Sequence, residues 1–276
     1  MFPISLIISF YNKIDYLKLI LAALERQSFK DFEIIIADDG SRDDVVAEIK
    51  AIISDSPLSI QHLWHEDAGF RKTKIFNKAI RKSRSNYMVF MDGDCIPHFK
   101  FIEEHYKNRE PKVLLAGRRV YLSEKLSRSL SPVKIKNGYL ENQFLAVLIL
   151  DGFLGKSLHV IKGVYVKNEF LRKVLNRSMT GVLGSNFSVH KEDLLAVNGF
   201  DERYQAPAVG EDSDIEVRLV WNNVKIKMIK NMAIQYHMHH ALLPRSTENM
   251  EIFEMVKKEK ETFTPYGIVQ QKNMNK

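Results

Sequence analysis

Two carboxylates separated by one glycine, Asp92-Gly93-Asp94, follow directly on four uncharged residues, Met88 to Met91. Such a run reads as a buried strand, here one that delivers acids to its end. In an open α/β sheet the ligand crevice lies beyond the carboxyl ends of the strands, so both acids would project where a substrate sits. Hard oxygen donors on a glycine-containing turn suit Mg²⁺ or Mn²⁺, which bridge carboxylates to substrate phosphates. The simpler alternative is an Asx turn with solvated acids, because Asp and Gly are ordinary turn residues.

Four further groups carry candidate chemistry. Ser9-Phe-Tyr11-Asn12 closes the first apolar run and Ala37-Asp38-Asp39-Gly40-Ser41 closes the second. An acid there suits an imide or ribose hydroxyl of a nucleotide, and Tyr11 suits stacking on a base. Asp67-Ala-Gly-Phe-Arg71 supplies a guanidinium that fits phosphate oxygens. Gly210-Glu211-Asp212 opens a predicted helix, and His237 heads the run His237-Met-His239-His240. A carboxylate at a helix mouth suits a general base, and a histidine suits a metal shell. Taken singly, each group has a plainer reading as a helix cap, a core aromatic, a surface ion pair or a structural histidine.

The elements that must position these residues alternate. Ile4 to Phe10, Glu33 to Ala37, Ser59 to Trp64 and Tyr87 to Met91 read as strands. Asp15 to Gln27, Asp43 to Ile53 and Lys72 to Ser83 carry helical patterns between them. Alternation of this kind predicts a mostly parallel sheet with right-handed crossovers, a Rossmann-like half over residues 1–117. Residues 118–247 break the rhythm and are read as the second half of the same domain. A C-terminal helix and frayed tail are expected over 248–276.

The composition is that of an ordinary globular chain, 45% hydrophobic and 27% charged in 276 residues. Met1-Phe2-Pro3 leads into an apolar strand with no basic segment, so no signal peptide is expected. The longest apolar run, Phe144 to Leu150, is too short to span a bilayer. A single cysteine, Cys95, excludes an internal disulfide framework and fits a reducing, cytoplasmic setting. The net charge of +7 is uneven: Lys100 to Asn137 holds ten Lys/Arg against four Glu, a local +6. Such a patch suits an anionic phospholipid or a phosphorylated substrate; nucleic acid is not expected, for want of zinc spacing, RNA-binding aromatics or a helix-turn-helix. Phe144, Leu148, Phe153 and Leu154 read as core, with a peripheral membrane contact as the alternative.

The order of the groups decides between these readings. Ser5 to Lys13, Gln27 to Ser41, Asp-Gly-Asp and Gly-Glu-Asp together resemble family 2 nucleotide-sugar glycosyltransferases of the GT-A fold. Asp67 to Arg71, Ser185 to Val189, Asn198 to Glu202 and Tyr236 to His240 resemble the subgroup whose C-terminal part is similar to galactosyltransferases and bacterial chondroitin polymerase. The resemblance implies an α/β GT-A fold and an inverting, metal-dependent transfer from a nucleotide-sugar, usually UDP-linked, to a saccharide or lipid-linked acceptor. Bacterial surface polysaccharide assembly is the implied setting. It implies that Ser9, Tyr11 and Asp39 hold the nucleoside, Arg71 approaches the diphosphate or base, and Asp92 sits near the ribose and metal. Asp94 and His237 would ligate Mn²⁺ or Mg²⁺, Asp212 would be the catalytic base, Glu211 would hold acceptor hydroxyls, and Asn186 would line the sugar pocket.

The chain departs from processive members in having Arg218-Leu-Val-Trp221 after Glu-Asp and no membrane span, so polymerisation is not expected. A sugar nucleotidyltransferase would need a glycine-rich phosphate loop after the first strand, where this chain has Ser-Phe-Tyr-Asn-Lys. A catalytically silent binding module of the same fold is the remaining rival, and only turnover separates it.

Overall fold

The computed structural model describes residues 2–178, 181–207, 210–241 and 246–270. Among the described residues, ten strands run β1 Ser5–Phe10, β2 Glu33–Asp38, β3 Ser59–Trp64, β4 Tyr87–Asp92, β5 Cys95–Pro97, β6 Val113–Ala116, β7 Arg118–Tyr121, β8 Asn186–His190, β9 Lys225–Met228 and β10 Ile234–His237. Seven of them form one sheet in the order β3-β2-β1-β4-β8-β6-β9. β3, β2, β1 and β4 are parallel, β8 runs antiparallel between β4 and β6, and β6 pairs parallel with β9. The sheet thus takes strands from both sides of residue 117.

Helices cover both faces, which explains the nearly continuous apolar runs of the central strands. Successive side chains point to opposite faces. Leu6, Ile8, Ile34, Ile36, Val89 and Met91 pack with Leu17, Ile20 and Leu24 of the Ile14–Glu25 helix. Ile7, Ile35, Met88 and Phe90 pack on the other face with Ile75 and Phe76 of the Lys72–Lys82 helix, and with Phe187, Phe200 and Leu219.

A smaller sheet, β5-β10-β7, stands at the carboxyl end of β4. β10 pairs antiparallel with β5, setting His237 opposite Cys95, and parallel with β7, setting His237 opposite Tyr121. The Met238 N–H donates to the Asp94 carbonyl at 2.9 Å. This pairing carries the C-terminal histidines back to the Asp-Gly-Asp turn.

Residues 139–175 are helical in short pieces, including Phe144–Phe153 and Glu169–Leu175. Phe144 and Leu148 are core residues, but Phe153 and Leu154 are exposed, 88% and 59%, which corrects the reading of all four as core. No helix among the described residues is long and apolar enough to cross a membrane. The Thr247–Glu259 helix ends the regular structure, and the segment beyond it is fastened rather than frayed up to residue 270. Asn198 Nδ2 donates to the Thr264 and Val269 carbonyls, and the Thr264 hydroxyl donates to Asp201 Oδ2 at 2.8 Å. The rest of the expected tail, 271–276, lies outside the described residues.

Candidate active site

The carboxyl ends of β1, β2 and β4 form one rim. Ser9 Oγ donates to Asp92 Oδ1 at 3.2 Å across the β1–β4 pair. Asp39 is held by two partners: the Arg71 N–H donates to Oδ2 at 2.8 Å, and His65 Nε2 lies 2.6 Å from Oδ1. Tyr11 stands at the mouth, half exposed, donating to Asp67 Oδ2 at 2.9 Å. Arg71 donates from Nη2 to the Glu66 carbonyl, while its buried Nε has no partner among the described residues. Ser9, Tyr11, Asp39 and Arg71 therefore share this rim.

Gly93 explains the middle of the Asp-Gly-Asp motif. A Cβ there would lie 2.3 Å from the Ser9 carbonyl oxygen, so only glycine lets β1 and the turn approach this closely. The two acids on either side meet different company. Asp92 Oδ1 accepts from Lys72 Nζ at 2.8 Å, and Arg119 Nη1 lies 3.6 Å from its Oδ2. Asp94 Oδ2 faces His240 Nε2 at 2.9 Å and His237 Nε2 at 3.3 Å. One ligand atom from each of Asp94, His237 and His240 lies within 4.8 Å of the others. Burial would raise the Asp94 carboxyl pKa, but the two imidazoles outweigh it and hold the group ionised. His240 joins His237 in this cluster rather than replacing it.

Asp212 and Glu211 open the Glu211–Trp221 helix, where unpaired N–H groups and the helix dipole favour negative charge. Asp212 Oδ2 accepts from the Gly184 N–H at 3.0 Å. Burial raises the Glu211 pKa and Lys72 opposes it, with Lys72 Nζ 3.5 Å from Oε1. Glu211 Oε2 is buried with no hydrogen-bond partner among the described residues. Lys72 thus joins Asp92, at the end of β4, to the helix-mouth acid Glu211. Burial disfavours its ammonium, yet Asp92, Glu211 and Asp212 raise its pKa above the ordinary value.

Asn186 does not line the pocket. Its side chain is fully buried, Nδ2 donates to the Arg118 and Ala233 carbonyls at 3.0 Å each, and Oδ1 lies 3.2 Å from His105 Nε2. It splices β8 to neighbouring segments, which corrects its expected role at the sugar. Lys72, Arg119, His240 and His65 were not singled out as site residues from the sequence. The basic residues belong to no motif, and only His240, inside the histidine run, carried a usable signal.

Family models match both halves of the chain that builds this rim. Residues 5–153 match the model of glycosyl transferase family 2, and residues 168–241 match that of the N-terminal domain of galactosyltransferase. The chain belongs to glycosyltransferase family 2. It is 24% identical over 242 residues to the chondroitin synthase of Escherichia coli, covering 85% of this chain and 34% of that protein. It is also 24% identical to the uncharacterised glycosyltransferase YfnE of Bacillus subtilis, covering 89% of this chain and 67% of that one. The chain therefore spans about a third of the length of the chondroitin synthase. Among solved structures, S. aureus TarS 1-349 in complex with UDP-GlcNAc superposes with a TM-score of 0.58 at 15% identity, over 93% of this chain and 66% of that one. The mannosyltransferase PcManGT from Pyrobaculum calidifontis, in complex with GDP-Man and Mn²⁺, gives 0.55 at 13%, over 94% and 62%. These likenesses establish the GT-A fold.

Proposed function

We propose that the chain is an inverting, metal-dependent glycosyltransferase that moves a hexosyl or N-acetylhexosaminyl group from a UDP-sugar to a hydroxyl of a saccharide or lipid-linked acceptor. The setting is bacterial surface polysaccharide assembly, in line with the chondroitin synthase relative. The observation that carries this reading is the convergence of Asp94, His237 and His240 beside Asp92, with Lys72 tying that end to Glu211 next to Asp212.

Three donors gathered on one side of a turn, two of them on a single carboxylate oxygen, fit a divalent cation. Two imidazoles favour Mn²⁺ over Mg²⁺, which prefers oxygen ligands. When bound, the ion would supply positive charge against the nucleoside diphosphate as it leaves. Asp39, Tyr11 and Ser9 hold the nucleoside, and Arg71 offers its unpartnered Nε–H to the diphosphate or base. Asp92, paired with two cations, sits toward the ribose.

Asp212 takes the proton of an acceptor hydroxyl as that oxygen attacks the anomeric carbon. The bond from that carbon to the diphosphate oxygen breaks, the electron pair leaves with the diphosphate, and the configuration inverts. Glu211 offers its unpartnered Oε2 to a second acceptor hydroxyl. Asp212→Asn is expected to lower turnover by roughly two to four orders of magnitude while UDP binding persists. Near-normal turnover in that variant would reject Asp212 as the base, and a screen of UDP-sugars with Mn²⁺ and no turnover would leave a silent binding module.

A peripheral membrane contact follows from the exposed apolar side chains Ile149, Leu150, Phe153, Leu154, Ile161 and Phe170. Lys156 and Lys173 lie in the same stretch and suit anionic headgroups. Flotation with anionic liposomes is the check, and full recovery in the soluble fraction would remove the contact.

A further inference from the structure

We propose that the cavity walled by Arg118, Arg119, Tyr121, His159 and Lys162 is a subsite for a negatively charged group, phosphate or carboxylate, on the acceptor. This rests on the glycosyltransferase reading and adds the chemical class of the acceptor to it.

The cavity has a volume of about 380 Å³ and is bounded on one side by Gly181, Val182 and Leu183. That is within the range of small-molecule pockets, about 300–1,000 Å³. It touches both ends of the reactive site. Tyr121 packs its ring on His237, centroids 5.0 Å apart, and Arg119 reaches Asp92. On the opposite wall Leu183 precedes Gly184, whose N–H holds Asp212. The small sheet runs β5-β10-β7, so β7 with its two arginines lies across β10 from the Asp94 turn. In the large sheet, β8 and β6 likewise lie across β4 from β1 and β2, whose ends form the nucleoside rim. The cavity is therefore on the acceptor side.

Its charge is one-sided. Arg118, Arg119, Lys162 and His159 line it, and Lys230 stands behind. Lys162 Nζ has no hydrogen-bond or carboxylate partner among the described residues. Burial, with Arg118 and Lys230, holds the Lys162 pKa below its ordinary value; burial and Lys162 do the same for His159. Like charges disfavour one another unless something neutralises them. Asp92 already offsets Lys72 and Arg119, and Glu216, which accepts the Val182 N–H at 2.8 Å, offsets Arg118, so the carboxylates at hand leave Lys162 unmatched. His159 holds a left-handed backbone, φ 60°, a conformation found at ligand clamps more than elsewhere. A neutral saccharide would leave Lys162 without a counter-charge, whereas an anionic group supplies one.

The test compares two acceptors that differ only in charge, methyl β-glucuronide and methyl β-glucoside, with a glycosyl phosphodiester as a third arm. Each is assayed with the UDP-sugar that the screen identifies. A charged acceptor is expected to have a kcat/KM about tenfold or more above the glucoside, one charge-assisted contact in magnitude, falling with added salt. Lys162→Gln should erase the preference and Lys162→Arg should keep it, while UDP affinity in Mn²⁺ stays unchanged. Preference for the glucuronide identifies a uronate, and preference for the phosphodiester identifies a phosphate. Equal use of the glucoside overturns the proposal, and so does a loss of UDP affinity in Lys162→Gln, which would give the cluster to the donor. If no sugar is transferred, the enzymatic reading fails separately. Titration calorimetry with inorganic sulfate then decides the subsite: binding lost in Lys162→Gln supports it, and absence of binding to the native chain overturns it.

Discussion

Lys72→Met removes the one ammonium that lies between Asp92 at 2.8 Å and Glu211 at 3.5 Å. At an effective dielectric of about 20, those separations correspond to gross attractions of about 6 and about 5 kcal/mol. Desolvation of the lysine offsets most of this. What the substitution exposes is the cost of leaving buried carboxylates unpaired, about 3–5 kcal/mol for a broken buried pair. In a chain of this size each kcal/mol is worth roughly 2–4 °C, so Tm is expected to drop by roughly 10 °C. The loss must also depend on pH. Burial already raises the Glu211 pKa and Lys72 pulls it down, so the variant's Glu211 moves higher still. A carboxyl raised in the folded state binds more protons there than in the unfolded chain, so stability falls as pH rises through the folded pKa. The deficit of Lys72→Met should therefore be largest near pH 8 and shrink towards pH 5, with Lys72→Arg recovering much of it. Thermal denaturation followed by circular dichroism across that range is sufficient. A shift below about 2 °C, the same at every pH, would refute the claim that Lys72 compensates these acids.

The other expectations are simpler. Asp94→Ala and His240→Ala should each weaken Mn²⁺-dependent UDP binding by roughly tenfold or more in calorimetry; an unchanged His240→Ala would reduce the metal set to Asp94 and His237. Burial pushes the His98 and His105 pKa values down to about 4 and about 3. Unfolded histidine takes up protons below about pH 6.5 while these stay neutral, so stability should fall from that pH down through 4. Urea denaturation at pH 7 and 5 measures the slope, and His105→Gln should flatten it. Gly93→Ala should cost about 1–3 kcal/mol and abolish metal-dependent UDP binding, because its Cβ has to displace the end of β1. Unaltered binding in that variant would mean that the turn tolerates a wider approach.

Legibility in the sequence followed the size of the local signal. β3 matches its expected span and β1, β2 and β4 differ by a single residue, because each is an apolar or alternating run bounded by turn residues. β5, β6 and β7 are three or four residues long and were not foreseen, since such strands are selected by their partners. β8 takes up Asn186–His190, and the residues just before it supply the backbone N–H that holds Asp212. The same limit applies to side chains. Asn186 occupies a polar, small-residue segment that suits a pocket, but as the first residue of β8 it faces inward and satisfies backbone carbonyls. A sequence cannot distinguish an amide aimed at a ligand from one aimed at its own strand neighbours.

The two acids of Asp-Gly-Asp carry this point further, since they are chemically identical and two residues apart. What separates them is the charge that arrives from elsewhere in the chain. Lys72 and Arg119 converge on Asp92, and a carboxylate already shared by two cations competes poorly for a third. Asp94 receives no lysine or arginine within ion-pair reach among the described residues. Burial pushes the Cys95 thiol up, so it stays protonated and donates to Asp94 Oδ1 at 3.2 Å. That leaves Oδ2 to the imidazoles of His237 and His240, groups that, when neutral, share an ion instead of repelling it. The difference between the two acids is thus set by Lys72, Arg119 and β10. The Asp-Gly-Asp motif alone does not determine it.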